Sequence, residues 1–321
     1  LGITGWRRVA GMDKTCPVQA GFTSQKILAS SGTSSQDDDH AMKFTYLLLA
    51  LGFAAQIFAT DAPNAAGLQL YSLRSQFKLR GVPWTLDRVK EFGIKEVELA
   101  GTHDLTAEQF KAELEQRGLK AVSSHFPYAR YKNDLDNVVK EAKTLGLKYA
   151  GCAWIDHKDS FDEAECRDAI AVFNKAGEAL AKEGITMFYH AHGFEFEPYG
   201  DGTLLDLFLK ETKPEFVSMQ MDILWIVFPG QDPVKLLNQY SGRWKLMHLK
   251  DLKKGVATGF LTGKTDVAND VTLGTGQMDW TAIFAAARKN GVQHYFIEDE
   301  SPTSLEQIPE SLKFLRTNGF E

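Results

Sequence analysis

The chain has 321 residues, of which 44% are hydrophobic and 24% charged, with a formal net charge of −6. This is the composition of a soluble globular protein, long enough for one large domain or two ordinary ones. The acidic balance is a poor footprint for nucleic acid, and the three cysteines, Cys16, Cys152 and Cys166, show neither zinc-type spacing nor a disulfide framework.

Residues 1–41 lack hydrophobic periodicity and include a Ser-, Gln- and Asp-rich run, 29–40, that cannot bury enough to order itself. They are read as a disordered upstream extension. Met42-Lys43 then opens a different pattern. One positive charge precedes the apolar run Leu47–Ala55, and Ile57-Phe-Ala59 puts a small residue just before the acidic Asp61. That order reads as a secretory signal peptide over residues 42–59, with translation starting at Met42 and the mature chain near Thr60. The run is too short for a membrane span. The expected location is therefore periplasmic or secreted, without stable membrane insertion after cleavage.

From Gly67 onward one phrase recurs: amphipathic helix, glycine, aliphatic residue, short strand. It stands at Phe92-Gly93-Ile94, Arg117-Gly118-Leu119, Leu145-Gly146-Leu147, Glu183-Gly184-Ile185 and Asn290-Gly291-Val292. Each glycine closes a helix and leads into a strand. Phe110 with Leu114, and Leu135, Val138, Val139 and Ala142, mark the apolar faces of two of the helices. Strands are predicted at 68–73, 95–99, 120–124, 148–153, 185–189, 217–222, 244–250 and 293–298. Helices alternate with them near 84, 106, 134, 164, 203, 233, 279 and 304. Eight βα units over residues 60–321 imply a single (β/α)8 TIM barrel. A doubly wound open sheet is the competing architecture, but Tyr71-Ser-Leu-Arg74 stands where a dinucleotide fold would put its glycine-rich turn. The one long connection, 251–277, has the length of a lid or binding loop.

In such a barrel the C-terminal strand ends share one rim. Collected there are Tyr71 and Arg74, Glu98, His125, then Trp154, Asp156 and His157. His190, His192 and Glu195 follow, then Asp222 and Trp225, His248, Lys250 and Asp251, and finally Glu298, Asp299 and Glu300. Most of the histidines fall at these ends, and it is their convergence that points to a site. Carboxylates and imidazoles from consecutive strands suit one divalent ion, Mn2+, Co2+, Fe2+ or Zn2+.

Tyr189-His-Ala-His-Gly-Phe-Glu-Phe196, Met221-Asp-Ile-Leu-Trp225, Gly230-Gln-Asp-Pro233, Met247-His-Leu-Lys-Asp-Leu252, Leu273-Gly-Thr-Gly276 with Asp279-Trp280, and Phe296-Ile-Glu298 resemble the sugar phosphate isomerase/epimerase family. This is the xylose isomerase-like TIM-barrel superfamily, and the resemblance spans roughly residues 67–317. It implies a metal held by residues of strands five to eight. Asp222, His248 and Glu298 match the last three positions. The fifth-strand position, commonly a glutamate, falls on His190, with Glu195 or His192 as substitutes. Two metal-bound glutamates serve as acid and base in the superfamily's epimerases; here Glu298 alone stands in that role.

The implied activity is a metal-dependent isomerase or epimerase acting on a keto-sugar or keto-glycoside through an enediolate. Glu298 or His192 would be the base, and Lys250 would polarise an oxygen or protonate a leaving group. Tyr71, His125, Trp154, Glu195 and Trp225 would bind substrate. The same intermediate can expel a β-substituent, which makes a lyase or dehydratase the alternative. A non-catalytic sugar-binding barrel and an endonuclease IV-like phosphodiesterase stand behind it. The expected partner is a small carbohydrate rather than nucleic acid, with a homo-oligomer allowed by the superfamily.

Overall fold

A computed structural model describes residues 65–321. The upstream extension and the signal-like stretch lie outside the described residues. Eight parallel strands close into a barrel: β1 (Ala66–Gln69), β2 (Glu96–Leu99), β3 (Lys120–His125), β4 (Tyr149–Cys152), β5 (Thr186–His190), β6 (Val217–Asp222), β7 (Trp244–Leu249) and β8 (His294–Ile297). Their order around the barrel follows the chain, and β8 pairs with β1 to close it. The helices between them include α1 (Arg74–Glu91), α2 (Ala107–Glu115), α3 (Tyr128–Asn133), α4 (Leu135–Leu145) and α5 (Glu163–Ala181). They continue with α6 (Leu204–Glu211), α7 (Ile223–Val227), α8 (Pro233–Gln239), α9 (Trp280–Lys289) and α10 (Ser304–Thr317). Among the described residues, no helix is long and apolar enough to cross a membrane. Cys152 and Cys166 are free and buried.

The helix starts are set by local chemistry. Thr106, Asp162 and Thr203 each cap a helix while the residue three on returns the bond to the cap backbone. At the other ends, Gly93, Gly118, Gly146, Gly184 and Gly291 all have φ between 69° and 85°, the left-handed turn that a side chain disfavours. This is the recurrent phrase of the sequence seen as geometry.

Two departures from the expected elements matter at the rim. The first strand stops at Gln69, because its side chain accepts the Tyr71 backbone N–H and starts a 3-10 turn at Leu70–Leu73. Tyr71 is thereby turned out to the barrel mouth, 43% exposed. An extra short helix, α7, follows β6 because Asp222 caps it through the Trp225 N–H.

Inside the barrel Val122, Tyr149, Phe188, Leu246 and Phe296 form a closed apolar plug. Its rings need room from two strands. A Cβ on Gly151 would lie 2.3 Å from the Phe188 ring, and one on Gly67 would lie 2.6 Å from Phe296. One step nearer the C-terminal rim the interior turns polar. Register pairs Gln69 with Glu98, His190 with Gln220, and Asp222 with His248.

Candidate metal centre and substrate cavity

Asp222, the last residue of β6, is fully buried. Its Oδ1 is taken by the Trp225 N–H at 3.1 Å. Its Oδ2 is buried without a hydrogen-bond partner and lies 3.7 Å from His248 Nδ1. His248 sits beside it on β7, and its Nδ1 is 3.1 Å from Oε2 of Glu298, one residue beyond β8. Ligand atoms of Asp222, His248 and Glu298 all fall within 4.8 Å of one another, and so do those of His125, His190 and His248. Buried acceptors normally have partners. An orphaned carboxylate oxygen facing an imidazole and a second carboxylate therefore fits an absent cation, and the mixed N/O set suits a divalent transition metal.

Charge is held unevenly around this cluster. Burial opposes ionisation of Glu298, but Lys250 and His248 hold its carboxyl well below the usual range. Burial likewise opposes the Lys250 ammonium, and Glu298, Asp270, Asp222 and Glu300 overcome it. Lys250 Nζ lies 2.6 Å from Glu300 Oε1 and 3.3 Å from Glu298 Oε2. Burial raises the Asp222 carboxyl, with the Glu298 charge adding to it. The His190 imidazole is pushed well down by burial and then by His192, His248 and His125. Burial takes His192 down to about 3. Both are thus held neutral, each with a lone pair available to ligate.

Above the cluster lies a cavity of about 650 Å³. Tyr71, Phe126, Tyr128, Trp154 and Trp225 supply aromatic walls, and His190, His192, Lys250 and Glu298 reach it from below. The 251–277 connection contributes Gly263, Lys264 and Thr265. Gly263 packs so closely that a Cβ there would lie 3.1–3.2 Å from Phe194, His192 and Trp154. Asp251 anchors the far end of this segment, accepting the N–H groups of Gly274 and Gly276 and Nε1–H of Trp280.

A family model described as the xylose isomerase-like TIM barrel matches residues 86–318. The chain belongs to that family. Among curated relatives, the inosose dehydratase of Geobacillus thermodenitrificans is 29% identical over 149 residues, covering 44% of this chain and 49% of the dehydratase. The chain spans about half the length of the first curated relatives it matches. A sugar phosphate isomerase/epimerase from Parabacteroides distasonis is 26% identical with a TM-score of 0.61, covering 80% of this chain and 94% of that one. The zinc-bound IOLI protein shares the fold at 13% identity and a TM-score of 0.62, over 79% and 97% of the two chains.

In this xylose isomerase-like barrel, His190, His192, Asp222, His248, Lys250 and Glu298 come together at the rim ends of β5 to β8. His125 joins them from β3, with its Nε2 2.9 Å from Gln220 Oε1. Trp154 and Trp225 form walls, Trp225 with Lys250 Nζ 5.5 Å from its ring. Tyr71 stands at the mouth beneath the Arg74 guanidinium. Glu195 is not brought to the cavity, either as a substrate contact or as the substitute ligand. The 3-10 turn Phe194–Phe196 carries it back into the wall, where it accepts from the Tyr189 hydroxyl and from the N–H groups of His192 and Gly193. Its function there is to fasten the turn that presents His192.

The sequence places Glu98 at the rim without assigning it a role, and leaves Gln69, Ser123 and Gln220 unmarked. Glu98 is fully buried beneath the cluster, and although burial works against its charge, His125 and His248 draw its carboxyl down to about 2. Gln220 carried a usable signal: it lies two residues before Asp222, on the same face of one strand.

Proposed function

We propose that this chain is a divalent-metal-dependent isomerase or epimerase of keto-sugars or keto-glycosides, moving a proton beside a carbonyl through an enediolate. The observation that carries the reading is the partnerless Asp222 Oδ2, buried near His248 and Glu298, the last of which lines an aromatic-walled cavity. Asp222, His248, Glu298 and His190 would hold the ion, which when bound would supply a Lewis acid to a carbonyl oxygen. The chain's own residues would do the rest. Glu298 is kept anionic beside Lys250 and can take the proton. His192, a neutral imidazole with a buried, partnerless Nδ1, faces the same cavity and offers a second base. The Trp154 and Trp225 faces suit an apolar sugar face, and the 251–277 segment adds Gly263, Lys264 and Thr265 to the cavity wall.

Elimination is the second reading, favoured by Lys250. A buried ammonium beside the base can protonate a departing oxygen. A pair of unlike groups, one glutamate and one imidazole, also suits a reaction whose two proton transfers are unlike. The inosose dehydratase relatives lean the same way.

Elemental analysis of the purified chain tests the metal, with Asp222→Ala, His248→Ala, Glu298→Ala and His190→Ala alongside. Deuterium uptake from solvent into keto-sugars then tests proton removal. Label in a rearranged sugar supports isomerisation, and release of water or an alcohol supports elimination. No ion in any preparation, even after Mn2+ or Zn2+ is supplied, refutes the reading. Export by the stretch that begins at Met42 belongs to the same proposal and is checked by cell fractionation. Assembly into a homo-oligomer is checked by sedimentation.

A further inference from the structure

Beneath the donor cluster, the Glu98 carboxylate has no lone pair to spare. Oε1 accepts from Gln69 Nε2 at 2.7 Å and His248 Nε2 at 2.5 Å, with His125 Nε2 at 3.3 Å. Oε2 accepts from Ser123 Oγ at 2.6 Å and Gln220 Nε2 at 2.8 Å. Glu98 is fully buried and does not line the cavity. It differs in this from Asp222, whose Oδ2 is empty-handed. A carboxylate so fully engaged holds its neighbours rather than an ion.

Its bonds dictate which nitrogens face upward. With Nε2 of His248 donating to Glu98, the opposite nitrogen, Nδ1, is the one beside Asp222 and Glu298. With the Gln220 amide nitrogen donating to Glu98, its Oε1 must serve as acceptor, and it meets His190 Nδ1 at 2.9 Å. His190 therefore carries its proton on Nδ1 and turns Nε2, with its lone pair, away from Gln220. Carboxylates and amides behind ligating histidines fix tautomer and ring orientation in this way.

We propose that Glu98 is a positioning residue of the metal centre: it makes Nδ1 the ligand atom of His248 directly, and Nε2 the ligand atom of His190 through Gln220. This rests on the metal reading above. The first test uses the full chain labelled with 15N-histidine and loaded with Zn2+. Long-range nitrogen–proton spectra should show one histidine bound through Nδ1 with a protonated Nε2, and another bound through Nε2. Zinc on Nε2 of both histidines overturns the proposal. The second test is Glu98→Gln, which keeps the shape but replaces one acceptor oxygen by a donor. Its Zn2+ or Co2+ affinity, measured by competition with a chromogenic chelator, should fall about 10–100-fold, and the Co2+ absorption bands should shift. A folded Glu98→Gln protein with wild-type affinity and an unchanged Co2+ spectrum overturns the proposal. If that variant does not fold, the nitrogen assignment on the wild type decides alone. A wild type that binds no ion refutes the metal reading itself, whereas binding through His248 Nε2 refutes only the role of Glu98.

Discussion

Asp222→Asn separates the function of the cluster from its stability. In the metal-free chain, Asp222 Oδ2 is a buried acceptor without a partner, close to the Glu298 charge that repels it. Leaving such a group unsatisfied costs about 1–3 kcal/mol. Asparagine keeps the oxygen that caps α7 through the Trp225 N–H and removes the negative charge. The metal-free variant should therefore match the wild type or exceed it by up to about 3 kcal/mol. For a domain of this size each kcal/mol moves the midpoint by about 2–4 °C. With metal the order should reverse. An ion at a hundred times its Kd stabilises the wild type by about 2.7 kcal/mol, roughly 5–10 °C at the same conversion, and the variant should gain little of it. Differential scanning calorimetry of both proteins, with chelator and with Mn2+ or Zn2+, reads all four states. A metal-free variant destabilised by more than about 1 kcal/mol that still gains the wild-type shift on adding metal would refute the reasoning, because Asp222 would then be a structural anchor rather than a ligand.

Chelation of the wild type should abolish turnover while far-ultraviolet circular dichroism is retained, since the plug and the outer core do not depend on the ion. Gly151→Ala sets a methyl against the Phe188 ring and should destabilise by about 1–3 kcal/mol through overpacking, visible as a lower thermal midpoint and relieved by adding Phe188→Leu. Asp251→Ala strips the acceptor from the Gly274 and Gly276 N–H groups and Trp280 Nε1; limited proteolysis within 251–277 should accelerate at least several-fold, and an unchanged cleavage rate would show that the segment is held elsewhere. Glu195→Gln loosens the turn that presents His192, so kcat should fall while metal content stays that of the wild type.

The barrel was legible because its punctuation is local. A glycine that must turn left-handed after each helix, as at Gly146 and Gly184, can be read without knowing what the strand beside it does. The candidate site was legible by position, since His190, Asp222, His248 and Glu298 are polar residues at the ends of apolar strands. Three things were not. Glu195 lies three residues beyond His192, and whether a side chain so far past the strand points in or out depends on the turn, here a 3-10 turn that carries it into the wall. Glu98, Ser123 and Gln220 meet across the barrel from β2, β3 and β6. Such contacts are set by register and closure, which no single stretch of sequence encodes. Gly151 is a third case, a glycine inside a strand whose reason is the Phe188 ring on its neighbour.

The layering of polar groups also bears on the ion proposed for this rim. The carboxylates of Glu98, Asp222, Asp270, Glu298 and Glu300 converge there, facing the cations Lys250 and Arg74 and the imidazole of His248. Burial drives the His248 proton off, but the charges of Glu298 and Glu98 hold it well above the ordinary range, so without metal this ring is drawn into service as a third cation. Even then the carboxylates outnumber the cations, an excess that burial limits by raising the Asp222 carboxyl and taking that of Asp270 up to about 7, because buried charge without compensation is strongly disfavoured. A divalent ion between Asp222 and Glu298 would supply the missing charge. It would also free Nδ1 of His248 from its proton, while Nε2–H stays on Glu98. Binding should then release a proton from His248, and calorimetric titration with Zn2+ in buffers of different ionisation enthalpy should show it. An ion taken up with no proton released would mean that His248 is already neutral in the metal-free chain and that the Glu98 contact is not holding it charged.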